Sequence, residues 1–192
     1  MSLTTKEITA FKEKEAALNG DYSYNFWDAD YLYEQLIREG ESVWGERILK
    51  NMENAANEFL EVEAICEKLQ EAGETEWLFS TLKKAEALAK DTRSFTELAN
   101  IASKTDDKKW AMNLYKKAEA LGTNFTALAY LGDGLANEDY LNDKTYALEI
   151  YKKAMPLIAD EWDKDGFIIS LESLGALGKD LLAEFYTANK TS

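Results

Sequence analysis

Apolar residues return along this chain at a fixed interval of 33 positions, in sets that have helical spacing. The members of a set lie three, four and seven residues after its first member, so they share one face of a helix. The four sets are Ala29, Leu32, Tyr33 and Leu36; Val62, Ile65, Cys66 and Leu69; Phe95, Leu98, Ala99 and Ala102; and Leu128, Leu131, Gly132 and Leu135. This pattern predicts four similar helices in repeated units.

A second helix is predicted after each of these, and its apolar positions keep the same interval. They are Gly45, Leu49 and Met52; Leu78, Leu82 and Ala85; Ala111, Tyr115 and Ala118; and Ala147, Tyr151 and Ala154. The last set follows after 36 residues instead of 33, which places three extra residues in the turn from Asn137 to Lys144. A helix pair with one apolar side must stack on a neighbour, so we expect an array of antiparallel pairs.

The N-terminal part differs from the repeats. The pattern predicts a helix from Thr4 to Leu18 with Thr5 as its cap, and Asn19-Gly20 ends it. An aromatic cluster follows, which we expect to seal this helix onto the array; the alternative is a binding patch. Its members are Tyr22, Tyr24, Phe26, Trp27, Tyr31 and Tyr33.

The C-terminal part is predicted to cap the array, because the interval fades after Pro156. Helices are expected over Asp165 to Leu177 and Lys179 to Ala188, with an inner face of Leu171, Leu174, Leu181, Leu182 and Phe185. The whole chain, residues 1–192, is therefore predicted to be one all-α domain of about eleven helices. Residues 1–25 form the N-terminal helix and aromatic connector, 26–159 the four repeats and 160–192 the capping pair.

The repeats resemble the tetratricopeptide repeat and its Sel1-like relatives. Leu128, Leu131-Gly132 and Leu135 match the family's first helix, and Ala147, Tyr151 and Ala154 match its second. The phrase Lys-Lys-Ala recurs at positions 83–85, 116–118 and 152–154. The resemblance implies a right-handed α-solenoid, a superhelix whose concave face is lined by the first helices and receives an extended peptide or a partner's helix.

On that concave face the spacing places one set of candidate partner-binding residues. They are Trp27, Asp30, Glu34, Leu60, Glu63, Glu67, Arg93, Thr96, Asn100, Thr126 and Asp133. The first part of this set is acidic with two apolar residues, so we expect a basic, partly apolar segment as the partner. The alternative is an ordinary solvated helix face.

The charge and composition favour a non-catalytic, cytoplasmic, protein-binding role. The formal charge is −14, which disfavours nucleic acid and anionic membranes as partners. The chain has no histidine, so the usual general base and histidine metal sites are missing, and we expect no enzyme activity and no cofactor. The single cysteine, Cys66, stands at a small, buried position of the repeat and is expected to be a packed thiol. We find no apolar run long enough for a signal peptide or a membrane span.

Two other functions remain open at this point. A small acidic protein can mask a basic enzyme or toxin, as immunity proteins do. The stretch from Glu161 to Glu172 resembles an EF-hand calcium loop, with Glu161, Asp163, Asp165 and Glu172 as ligands, although Glu161 is not the usual Asp and no second loop is present. The alternative for this stretch is a turn in which Asp165 caps the next helix. Self-association through the aromatic N-terminal end is also open.

Overall fold

A computed structural model describes residues 3–189, which form eleven α-helices and no β-strand. This confirms the all-α prediction and its number of helices. The helices are α1 (Thr5–Ala17), α2 (Phe26–Arg38), α3 (Ser42–Ala55), α4 (Phe59–Ala72), α5 (Thr75–Leu88), α6 (Thr92–Ser103), α7 (Lys108–Leu121), α8 (Phe125–Ala136), α9 (Lys144–Ala154), α10 (Glu161–Ser173) and α11 (Lys179–Asn189). Two 3-10 turns, Met155–Leu157 and Gly175–Gly178, follow α9 and α10.

Consecutive helices pack as pairs, as the interval predicts: α2 with α3, α4 with α5, α6 with α7 and α8 with α9. The connections within the first three pairs have two to four residues, which turns the chain back on itself. The fourth connection, residues 137–143, is three residues longer than 104–107. Backbone contacts divide the chain into two compact units, Met1–Leu88 and Ala89–Ser192. The handedness of a superhelix stays a prediction.

The repeated apolar positions form the core of each unit. All of them are buried on the first and second helices except Phe95, which is half-buried. Leu36, Ile65, Leu98 and Leu131, one from each repeat, have no exposed surface. Fully burying one such side chain contributes about 1.5–3 kcal/mol, so these stripes supply most of the stability of a pair.

The first helix has a different cap from the predicted one, and polar contacts join it to α3. Thr4, not Thr5, is the cap: its hydroxyl accepts from the backbone N–H of Glu7, and the Glu7 carboxylate accepts from the Thr4 N–H at 2.7 Å. This reciprocal arrangement satisfies two N–H groups that the helix leaves unpaired. Glu15 joins α1 to α3, because its carboxylate accepts from the Trp44 indole at 3.0 Å and pairs with Arg47.

The aromatic cluster is divided between the interior and the surface. Phe26 and Tyr33 are buried, as expected of a seal. Tyr24, Trp27 and Tyr31 are 87%, 59% and 60% exposed, so the prediction that the whole cluster seals the first helix is wrong for these three. For Trp27 and Tyr31 the reason is the period of α2, which turns its positions 26, 29, 32, 33 and 36 inward and positions 27 and 31 outward. Tyr24 lies in the turn before α2.

The C-terminal helices pack on α8 through aromatic rings. Phe167 lies between Phe125 and Phe185, with ring centroids 6.2 and 5.1 Å apart. Of the predicted inner face, Leu171, Leu174, Leu181 and Phe185 are buried and Leu182 is half-buried. The first of these helices, α10, begins at Glu161 instead of the predicted Asp165. Asp160 is its cap, and the Asp160 carboxylate accepts from the Asp163 N–H at 2.9 Å.

Two glycines allow neighbouring helices to approach α8 closely. A Cβ atom at Gly132 would lie 2.6 Å from the Tyr151 ring of α9. A Cβ atom at Gly134 would lie 2.9 Å from the Asn100 side chain of α6. Real Cβ atoms do not make contacts this short. α8 therefore packs so closely against α9 and α6 that only glycine fits at these two positions.

We predict that Gly132→Ala destabilises the protein although alanine is the better helix former. The added methyl group meets a Tyr151 ring that has no exposed surface, and overpacking costs about 1–3 kcal/mol. Gly166→Ala in α10 is the matched control, because its Cβ atom would make only an ordinary contact of 3.8 Å with Phe125. There the helix propensity should raise stability by up to about 1 kcal/mol. Thermal melts of the two variants should shift in opposite directions; a higher melting temperature for Gly132→Ala would contradict the close approach.

Candidate functional site

The outward side of α2 and α4 in residues 1–88 carries large apolar side chains among acidic ones. Trp27 on α2 and Leu60 on α4 stand at equivalent places, 33 residues apart, and both are 59% exposed. Tyr31 lies one helical turn after Trp27, and Glu34 and Glu67 are exposed on the same two helices. We call Trp27, Tyr31, Glu34, Leu60 and Glu67 the first-helix face.

Lys68 joins α2 to α4 beside this face. Its ammonium lies 2.9 Å from an Asp30 oxygen and 3.1 Å from a Glu34 oxygen. The Asp30 oxygen is buried and makes no well-aligned hydrogen bond, so its contact with Lys68 is an ion pair. Burial acts to lower the pKa of Lys68, but the two carboxylates outweigh it and raise the pKa above its usual value. Asp30 therefore helps to hold α2 and α4 together and is not part of the exposed first-helix face.

The other two acidic residues predicted on this face, Glu63 and Glu67, differ in their exposure to solvent. Glu67 is exposed, and Glu63 is half-buried and takes part in contacts of its own. Residues 1–88 contain 19 acidic and 9 basic side chains, whereas residues 89–192 contain 17 and 13. The first unit thus holds most of the negative charge of the chain.

In the second unit, Arg93 and Thr126 line one cavity of about 510 Å³ between the starts of α6 and α8. The Arg93 guanidinium lies 5.7 Å from the centre of the Tyr130 ring, a cation–π distance. The Tyr130 hydroxyl donates to the Glu97 carboxylate, which holds the ring beneath the guanidinium. Tyr130 was missed because the predicted face left out its repeat position, which Tyr31 occupies in the first repeat, 99 residues earlier.

Thr96 and Asn100 do not lie on an open surface, so their prediction as partner-binding residues is wrong. Thr96 has no exposed surface and its hydroxyl donates to the Thr92 carbonyl at 2.8 Å. Asn100 is buried and its side-chain oxygen accepts from the Tyr115 hydroxyl at 2.7 Å. Gly134 explains both cases, because its missing side chain lets α8 cover them.

Asp133 is exposed, but its carboxylate is already engaged by two neighbouring helices. It accepts from the Tyr151 hydroxyl of α9 at 2.5 Å and from the Ser170 hydroxyl of α10 at 2.8 Å. Burial, together with this carboxylate, raises the pKa of Tyr151, so the phenol stays protonated and donates. Asp133 therefore ties α10 to the last repeat.

The EF-hand interpretation is wrong, because Glu161–Ser173 is a continuous helix and not a loop. Glu161 and Glu172 are separated by about 16 Å along a helix axis, at 1.5 Å per residue, and cannot close on one ion. The Asp163 carboxylate instead accepts from the Ala159 N–H at 2.9 Å. Asp165 is the fifth residue of α10 and does not cap it. Within residues 3–189 no group of three or more acidic, cysteine or histidine side chains is placed to hold a metal ion.

Cys66 is buried and forms no disulfide, as expected of a packed thiol. Burial raises the pKa of its thiol above the usual range, so it carries no reactive thiolate. Among the helices of residues 3–189, none has both the length and the apolar character needed to cross a membrane.

Comparisons of this chain with models of protein families, with curated proteins and with solved structures give no match. The resemblance to tetratricopeptide repeats therefore rests on the residues themselves.

We predict that Lys68→Met destabilises the protein by about 1–3 kcal/mol, because it leaves the partly buried Asp30 carboxylate without an opposite charge. The double variant Asp30→Asn with Lys68→Met should recover part of that loss. Because the pKa of Lys68 is raised in the folded protein, the ion pair stabilises the fold at neutral pH. This stabilisation is lost only as the pH rises through the raised pKa.

Lys164→Met is the matched control, because its partner Glu161 is 81% exposed and such a pair contributes at most about 1 kcal/mol. Urea denaturation measures all three variants. Equal losses for Lys68→Met and Lys164→Met would show that the Lys68 bridge has no special role.

Proposed function

We propose that the protein is a non-catalytic adaptor that binds a basic, partly apolar segment of another protein on the first-helix face. The observation that carries this proposal is the exposure of Trp27 and Leu60 at equivalent places on adjacent first helices. Large apolar side chains held outward on packed helices are typical of interaction surfaces.

The charge around these side chains supports a basic partner. Glu34 and Glu67 are exposed on the face, and residues 1–88 have ten more acidic than basic side chains. Such a field attracts a basic segment and speeds its association, while the apolar side chains supply the contacts that slow dissociation. Rigid helices below the face reduce the entropy that binding costs. We also infer a cytoplasmic location, in keeping with a chain whose one cysteine leaves it without an internal disulfide.

A masking role against a basic enzyme or toxin uses the same acidic excess. The two roles differ in the form of the partner: an adaptor recognises an extended or helical segment, whereas a masking protein needs the folded surface. Affinity for short peptides therefore favours the adaptor.

We predict that synthetic peptides combining lysine and leucine bind the protein, and that peptides with glutamate in place of lysine do not. Trp27→Ala should weaken binding about tenfold or more, because exposed tryptophans at interfaces commonly contribute about 2 kcal/mol. Glu67→Lys should also weaken peptide binding, and the loss should be larger at low salt than at high salt, because salt screens the charges. Isothermal titration calorimetry measures each affinity.

The matched controls lie on second helices of the same unit. Val43→Ala removes an apolar side chain that is 82% exposed on α3, and Glu76→Lys reverses an exposed charge on α5. Both should bind like the unmodified protein. If the controls weaken binding as much as Trp27→Ala and Glu67→Lys, the first-helix face is not the binding surface.

A further inference from the structure

A second surface of opposite charge lies in residues 89–192, on the side of the second helices. Lys108, Lys109 and Lys116 of α7 and Lys144 of α9 line a cavity of about 850 Å³. We call it the lysine cavity. A cluster of four ammonium groups is unexpected in a chain with a formal charge of −14.

The long connection before α9 builds one wall of this cavity. Leu141, Asn142 and Asp143 line it, and they belong to residues 137–143, the connection with three extra residues. Asn142 adopts a left-handed backbone conformation, with φ of 53°, which turns the connection sharply before α9. The departure from the regular repeat thus coincides with the lysine cavity.

Two of the four lysines are already engaged and two are not. Lys108 donates to the Ser103 carbonyl, and Lys144 lies 3.2 Å from the Glu138 carboxylate. Lys109 and Lys116 are exposed, and within residues 3–189 neither forms an ion pair. Their charges are available to a ligand.

The carboxylate that lines the cavity is occupied by the backbone. Asp143 is the cap of α9 and accepts from the Tyr146 N–H at 2.9 Å. Its charge is partly offset by the positive end of the helix. Within the lining of the cavity, four ammonium groups therefore face a single carboxylate.

We propose that the lysine cavity binds an acidic segment of another protein, one that carries apolar side chains as well as carboxylates. Met112 and Leu141 line the cavity beside the lysines and offer apolar contact to such a segment. A long nucleic acid is disfavoured, because it would extend beyond the cavity and meet the net negative charge of the chain. This site is independent of the first-helix face, and with both occupied the protein would join a basic segment to an acidic one.

We predict that a fluorescent peptide of alternating glutamate and leucine binds the full-length protein, measured by anisotropy at low salt. The double variant Lys109→Gln with Lys116→Gln should weaken binding about tenfold, since it removes two surface charge pairs between the cavity and the peptide. Lys152→Gln with Lys179→Gln is the matched control, because it removes two exposed lysines outside the cavity. This control should bind within about twofold of the unmodified protein.

Several results would overturn the proposal. They are the absence of binding to the acidic peptide, equal weakening by the two double variants, and displacement of the peptide by an equal concentration of inorganic pyrophosphate, which would assign the cavity to small phosphates. Self-association that depends on Lys109 and Lys116, seen by sedimentation, would assign it to a second copy of the chain. Circular dichroism checks that each variant is folded.

Discussion

The burial of a narrow apolar stripe between paired helices is the interaction on which the rest of this structure depends. A single helix of 11–14 residues is marginal in water, so each helix requires a partner that removes its stripe from solvent. Leucine and isoleucine fill the stripe on the first helices, and alanine at positions 85, 118 and 154 lets the second helices approach. The remaining faces are then free to differ between repeats, and both proposed surfaces lie on those faces.

The second unit adds polar contacts to this packing. The buried hydroxyl of Tyr115 donates to Asn100, and that of Tyr151 donates to Asp133. Burial raises the pKa of Tyr115, so it remains a donor at any ordinary pH. Each tyrosine thus links its own helix to a neighbouring first helix. Such buried hydrogen bonds fix the relative position of helices more specifically than apolar contacts do.

Much of the fold could be predicted from the sequence, because the apolar stripe is a local, periodic property. The four helix pairs, the longer fourth connection and the burial of Leu36, Cys66 and Leu131 all follow from the interval. The candidate site was predicted less well, because exposure depends on how closely neighbouring helices approach. Thr96 and Asn100 occupy outward repeat positions, but Gly134 brings α8 over them. Lys68 and the lysine cavity depend on which charges meet in three dimensions, and no repeat pattern contains that information.

The most direct test of this account is an alanine substitution at the equivalent position of every repeat: Leu32, Ile65, Leu98 and Leu131. Each side chain is at most 2% exposed, and we expect each substitution to lower the free energy of unfolding, measured in urea, by about 2–5 kcal/mol. Tyr31→Ala, an exposed neighbour in the first repeat, should change it by less than about 1 kcal/mol. Near-neutral effects at two or more of the four positions would contradict the repeated burial on which the fold and both surfaces depend.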